Sequence, residues 1–332
     1  MTDYKNLKLI ATSNPHIRSS ETTRSIMLDV CIAMMPALIW GIYVFGFRAL
    51  TVTAVSVAAC VFFEWLYCKM TGMHCKIYDL SACVTGVLLA FVCPVTIPYW
   101  TIILGDLFAI VLVKMLFGGL GRNIVNPALA GRAFMFSWPV LMSTWVKPGM
   151  ENAAPLFGPV AGLSTADVVT AATPLANMHQ GIMCEETIGQ LFIGNVGGCI
   201  GEVSALALLV GGIWLLYRRV ISLRIPVCFI GTVAVLTLIF PQAGSGFEWM
   251  AYQLLSGGLM LGAIFMATDY ASSPVTPKGQ IIYGIGCGVL TVLIRYFGSY
   301  PEGVSFAILF MNILTPYISN WTRTKPFGGV KA

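Results

Sequence analysis

Ten apolar stretches, at residues 25–45, 49–68, 80–97, 99–117, 126–142, 190–217, 225–241, 251–268, 279–297 and 302–318, take up most of this 332-residue sequence. The hydrocarbon core of a bilayer is about 30 Å thick and takes roughly 20 apolar helical residues to cross, so the stretches read as ten transmembrane helices. Composition agrees: 57% of residues are hydrophobic and 10% charged, against roughly 45–50% and about 25% in soluble domains. The expected class is an all-α integral membrane protein. Residues 1–24 are polar and lack the apolar centre of a cleavable signal, which makes the first helix the expected targeting signal.

Several stretches are imperfect in a way that carries information. The third, SACVTGVLLAFVCPVTIP, meets Pro94 early, and the sixth opens on GNVGGCIGE, with Gly194, Gly197, Gly198 and Gly201. Non-helical backbone at membrane depth is tolerated only where protein or a water-filled cavity satisfies its polar groups. These breaks are therefore expected to point inward.

Cytoplasmic loops carry an excess of Lys and Arg. With ten spans and both termini cytoplasmic, sixteen of the nineteen basic residues, Lys114 and Arg132 among them, fall on the inner side, leaving Arg48, Lys147 and Arg295. Topology then explains the net charge of +5 without a nucleic-acid partner. The layout divides into a cytoplasmic tail 1–24, a first five-helix unit 25–142, an extracytoplasmic loop 143–189, a second five-helix unit 190–318 and a cytoplasmic tail 319–332. The third stretch ends TGVLLAFVCPVTIP and the eighth runs SGGLMLGAIFMATDYASSPVTP. Each joins a Ser/Thr-Gly start and a Leu-rich run to a closing Pro-Val-Thr. Matching helices 1–5 with 6–10 puts an odd number of spans in each unit, so the two repeats are expected to be inverted, an architecture that places the working site near the midplane at broken helices.

Some chemistry is disfavoured. The three histidines, His16, His74 and His179, lie outside the spans and offer no paired axial ligands for a membrane haem. The ten cysteines show no C-x-x-C spacing and sit mostly in helices, where Cys behaves as a small hydrophobe. No metal site is expected. Ionisable residues inside spans are costly and carry a functional prior. Asp29 and Glu64 suit interfacial or paired roles, whereas Asp106, Glu202 and Asp269 lie deeper or beside breaks and are candidates for an ion path.

Residues 167–175, DVVTAATPL, are small and polar in a chain that is otherwise apolar. They resemble the acceptor motif for covalent attachment of flavin mononucleotide (FMN), which implies a phosphoester on Thr173 with Asp167 and Thr170 serving recognition by a flavin transferase. The alternative is a polar turn in which Thr173 caps a short helix started by Pro174. The motif, together with GGLGRNIVNPALAGRAF before helix 5, GNVGGCIGEVSALALLVGGIWLL in helix 6 and RRVISLRIP after it, resembles the RnfD/NqrB family over nearly the whole chain. The shorter N-terminal tail favours the Rnf branch.

That resemblance implies a fold similar to urea channels and a place in the bacterial or archaeal cytoplasmic membrane. The function it implies is that of a membrane component of an ion-translocating Rnf-type ferredoxin:NAD oxidoreductase, not catalytic alone. It would carry electrons through the flavin and form part of a Na+ or H+ path beside the A, B, C, E and G subunits, with lipid around it. On the face opposite Thr173, Arg122, Asn123 and Asn126 form a second polar cluster. It suits either a second, noncovalent flavin such as riboflavin, or a quinone, or simple helix capping or contact with lipid headgroups. The competing readings of the whole chain are the B-type component of a Na+-translocating NADH:quinone reductase and a non-redox channel or transporter.

Overall fold

The computed structural model describes residues 21–73, 77–146, 173–182, 186–298 and 300–323. α1 (Thr23–Phe45) starts where Thr22 and Ser25 cap each other reciprocally. Gly46, at φ 80°, turns the chain directly into α2 (Phe47–Thr71). There follow α3 (Ser81–Phe91), α4 (Tyr99–Leu107) with a wide π-helical continuation at Phe108–Met115, α5 (Pro127–Met135) and α6 (Pro139–Met142). Beyond the segment around residue 160 come α7 (Pro174–His179), α8 (Ile188–Ile193), α9 (Ala205–Tyr217), α10 (Arg224–Ile239) and α11 (Gly246–Leu255). The chain closes with α12 (Leu259–Leu261), extended by π-helical Gly262–Met266, then α13 (Pro277–Phe297) and α14 (Val304–Trp321).

Among the described residues three helices, α1, α2 and α13, are long and apolar enough to cross a membrane unaided; α11 and α12 with its extension qualify together across a 65° bend. The third and sixth stretches break, as Pro94 and the GNVGGCIGE glycines imply, and the fifth and eighth, read as single spans, are broken too. Helix over 80–97 stops at Phe91, 126–142 divides into α5 and α6, and 190–217 divides into α8 and α9. Each break has a local cause, Pro139 starting α6 among them. Pro94 and Pro98 lack the N–H that a continuing helix needs, Gly194 adopts φ 101° at the end of α8, and Gly257 adopts φ 69° between α11 and α12. These are left-handed values that glycine reaches without a Cβ penalty.

The packing follows one pattern twice. α2 lies against α3 and α4, and α4 against α5; α10 lies against α11 and α13, and α13 against α14. Across the halves, α1 packs on α9 and α5 on α14. Small residues permit the closest approaches, as membrane helix packing favours. A β-carbon on Gly86 of α3 would stand 2.8 Å from Val57 Cα of α2, and one on Gly211 of α9 would strike the Ala33 carbonyl of α1.

The broken segments are stitched together where they meet. Ile200 N donates to Cys93 O at 3.1 Å, Gly201 N to Phe91 O at 3.0 Å and Cys199 Sγ to Val92 O at 3.3 Å. A side chain on Gly201 would collide with the Phe91 ring, which explains a glycine at the crossing. Two of the three basic residues outside the charge pattern serve these breaks. Buried Arg48 donates to Val95 O at 2.8 Å and Ile97 O at 3.3 Å, its guanidinium 5.2 Å from the Tyr99 ring centre. Buried Arg295 donates to Gln253 O at 2.6 Å, Gln253 Oε1 at 2.9 Å and Ser256 O at 3.3 Å. Each guanidinium replaces the water that would otherwise solvate exposed carbonyls, so Arg48 and Arg295 belong to the interior.

Candidate functional site

Thr173 caps α7: its Oγ1 accepts from Ala176 N at 3.2 Å, with Pro174 in the first helical turn. The helix-capping reading of the sequence therefore describes its local geometry. The same residue also lines a cavity of about 670 Å³. Among the described residues the walls include the aromatic rings of Phe136, Trp145 and Tyr300, the backbone of Gly197 and Gly198, and a charged floor of Arg132, Glu202 and Glu302. Pockets that enclose drug-sized ligands run from about 300 to 1,000 Å³, so the space is of the right order for a tricyclic ring. Asp167 and Thr170 lie outside the described residues.

The floor is an ion triad built from three separate segments. Arg132 of α5 donates through Nη1 to Glu202 Oε1 at 3.2 Å and Ser305 Oγ at 2.9 Å, and through Nη2 closely to Glu302 Oε2. Glu302 Oε1 accepts from Gly258 N at 2.9 Å. A β-carbon on Gly258 would collide with both carboxylates, so the Ser256-Gly257-Gly258 break makes room for them. Arg132 Nε is buried without a hydrogen-bond partner among the described residues. Counting Arg132 with the cytoplasmic residues is thereby corrected: it is 3% exposed in the interior, where the carboxylates of Glu202 and Glu302 hold its guanidinium. Lys114 is likewise buried, bonded to Glu64 at 2.8 Å and Ser81 Oγ at 2.7 Å.

The remaining predicted residues fall in two other places. Asn123, Asn126 and Asp269 line a narrow cavity of about 90 Å³ with Ser81, Thr85, Lys114, Thr268 and Tyr270. Asn126 Oδ1 caps α5 by accepting from Ala128 N at 3.0 Å, and its Nδ2 donates to Met266 O at 3.2 Å, tying α5 to the end of the π segment. Asp269 accepts from Ser272 Oγ at 2.9 Å. Arg122 is exposed and does not line this cavity. The space suits water rather than a ring.

Asp106 lies in neither cavity. It is fully buried between α4 and α2, accepting from Ser56 Oγ at 2.8 Å and Cys60 Sγ at 3.1 Å, and its Oδ2 has no partner among the described residues. Buried Asp29 pairs with Arg218 at 3.1 Å, the paired one of the two roles its sequence suits. Arg132 as a site residue and Glu302 altogether were missed by the sequence reading. The only hint of Glu302 was an acid at the start of the last apolar stretch.

Several apolar spans, helices broken around stitched loops, and an ion triad under a hydroxyl-bearing cavity define a multi-pass helical membrane protein with an internal site. A family model described as the NQR2, RnfD, RnfE family matches residues 10–328, and the chain belongs to that family. It is 46% identical over 330 residues to the D subunit of the Na(+)-translocating ferredoxin:NAD(+) oxidoreductase complex of Acetobacterium woodii, covering 98% of this chain and 97% of that one. It is 41% identical over 335 residues to the D subunit of the proton-translocating ferredoxin:NAD(+) oxidoreductase complex of Clostridium ljungdahlii, with 98% and 97% covered. The D subunit of the ion-translocating oxidoreductase complex of Stutzerimonas stutzeri is 37% identical over 335 residues, with 94% and 93% covered.

Proposed function

We propose that the chain is the D-type membrane component of an Rnf-type ferredoxin:NAD oxidoreductase, carrying electrons through FMN esterified to Thr173 and lacking catalysis on its own. The observation that carries this reading is the position of Thr173, a hydroxyl in an FMN-acceptor-like motif that also borders a cavity large enough for the ring. Phe136, Trp145 and Tyr300 offer faces for an aromatic ligand, and Arg132 Nε–H is a donor without an acceptor among the described residues. When bound, a flavin supplies one- and two-electron chemistry, and the protein supplies position and electrostatics. The A, B, C, E and G components of the complex are the proposed neighbours, and an extracytoplasmic flavin transferase the maturation partner. The orientation has both termini cytoplasmic, in two inverted five-helix units similar to urea channels. The doubled packing pattern supports that arrangement. A second, noncovalent flavin would need a larger space than the Asn123–Asp269 cavity, and is proposed only where a neighbouring protein of the complex completes the site.

Asp106, Glu202 and Asp269 are proposed members of an ion path: Asp106 and Glu202 are buried acids within the bundle, and Glu202 and Asp269 each border a cavity. The test of the flavin reading is direct. The complex, purified from cells that express the transferase, is run on a denaturing gel and viewed under ultraviolet light. Yellow-green fluorescence at the mass of this chain is expected, and a dark band would leave a channel without a redox group as the reading.

A further inference from the structure

We propose that Asp106 is held inside the bundle as the neutral acid, a site that takes a proton rather than a metal cation. The inference deepens the reading of Asp106 as a member of an ion path and rests on that reading for its part in transport; the protonation itself rests on hydrogen-bond geometry. Ser56 Oγ of α2 stands 2.8 Å from Asp106 Oδ1 of α4 and 2.9 Å from Gly86 O of α3. Both are hydrogen-bond distances, yet a serine hydroxyl brings a single hydrogen. Two such contacts between oxygens call for two hydrogens. With Asp106 protonated both are supplied: its O–H donates to Ser56 Oγ, and the Ser56 hydrogen goes to Gly86 O.

The surroundings favour the same state. Among the described residues the other donor to Asp106 is the weak thiol of Cys60, 3.1 Å from the same Oδ1, and Oδ2 has no partner. An ionised carboxylate offers about four acceptor positions, and most of them would go unserved on this fully buried side chain. Burying an unpaired charge is far costlier than burying a neutral acid. The cations of neighbouring elements are engaged elsewhere. Lys114, in the π-helical continuation of α4, is bonded to Glu64 and Ser81, and Arg132 of α5 to Glu202, Glu302 and Ser305. Cys93, beyond α3, is a second thiol near the acid and adds no positive charge. Glu64 supplies the contrast: on the same helix as Ser56 and Cys60, that acid is matched by a lysine at 2.8 Å. Hard cations are held by several oxygen ligands, and the packing here is close. A β-carbon on Gly105, next to Asp106, would stand 2.6 Å from Met135 Sδ, and one on Gly86 would stand 2.8 Å from Val57 Cα. A proton needs neither the extra ligands nor the space.

Infrared spectroscopy of the purified complex at neutral pH tests this. The spectrum of wild type minus that of Asp106→Asn should show the C=O band of a protonated carboxylic acid, and the band should persist when sodium chloride is added to a choline buffer. No such band in the difference, or its loss on adding sodium, overturns the proposal. Ser56→Ala removes the acceptor of the acid's hydrogen and should displace the band. An undisplaced band refutes the geometry, and this variant decides also where Asp106→Asn fails to assemble. The ions moved per electron in proteoliposomes separate the two levels. An acid band together with a wild-type ratio in Asp106→Asn removes Asp106 from the ion path and leaves its proton in place, whereas a lowered ratio without the band keeps the path and fails the proton inference.

Discussion

Arg132 Nη1 lies 3.2 Å from Glu202 Oε1, while the neighbouring Nη2 holds Glu302, so one side chain from α5 joins the glycine-rich entry to α9 with the segment before α14. Removing it strands two carboxylates in the interior. Breaking a buried ion pair from one side typically costs about 3–5 kcal/mol. Arg132→Gln should therefore lower the thermal midpoint of the detergent-solubilised protein strongly, and Arg132→Gln with Glu302→Gln should recover part of the loss. Additive destabilisation in the double variant would mean that the pair is not coupled.

Gly201 and Gly258 make a second, purely steric prediction. A β-carbon at Gly201 meets the Phe91 ring, and one at Gly258 meets the triad carboxylates. Overpacking of this kind costs about 1–3 kcal/mol. Gly201→Ala and Gly258→Ala should each reduce the yield of folded protein by size-exclusion chromatography, whereas Gly231→Ala, where a β-carbon meets nothing within 4 Å, should not. Equal yields across all three would remove the packing argument.

The helical class and two of the breaks were legible in the sequence, because proline and glycine act locally: Pro94 and Gly194 interrupt apolar runs visibly, whereas the breaks at 136–138 and 256–258 lie inside stretches read as single spans. What fills the breaks was not legible. Arg48 and Arg295 looked like exceptions to a topological rule, and Arg132 looked like an ordinary inner-side charge, since a one-dimensional count cannot tell a lipid-facing residue from one enclosed by helices. The triad joins positions 132, 202 and 302, and only tertiary packing brings such separations together. Thr173 was legible as a candidate from its motif, and its cavity was not, because the walls come from segments far apart in the chain.

The proposed orientation puts the segment around residue 160 outside the cytoplasm and Ala332 inside. Alkaline phosphatase, active only outside, should give activity when fused near residue 160 and none after Ala332. Activity at the C-terminus would refute an even number of spans with a cytoplasmic start. This assay bears on the charge pattern itself, since Lys114 and Arg132 are buried and cannot count toward it.

The three acids should separate in their effects. Asp106 is sealed between α2 and α4 with one oxygen unpartnered among the described residues, Glu202 borders the larger cavity and Asp269 the smaller. In proteoliposomes holding the whole complex, Asp106→Asn, Glu202→Gln and Asp269→Asn are each expected to lower the ions moved per electron more than the amount of assembled complex. If all three keep the wild-type ratio, they are structural, and the ion path lies in another protein of the complex.

Thr173 carries two roles that substitution can separate. As the cap of α7 it accepts from Ala176 N, and losing a cap of this kind costs about 0.5–2 kcal/mol. Thr173→Ala should thus destabilise the protein modestly, more than the loss of an uninvolved loop hydroxyl would. As the proposed ester oxygen it is indispensable, because a phosphoester needs an oxygen nucleophile. Thr173→Ala should abolish gel fluorescence, Thr173→Ser should keep both cap and some flavin, and Thr173→Asp should keep the cap while losing the flavin. Thr170→Ala should reduce attachment without moving it. The wild-type intact mass should show one FMN adduct, and fragment mapping should place it on Thr173. An adduct that persists in Thr173→Ala, or maps to Thr170 in wild type, would mean that the cavity-lining hydroxyl is a cap and nothing more.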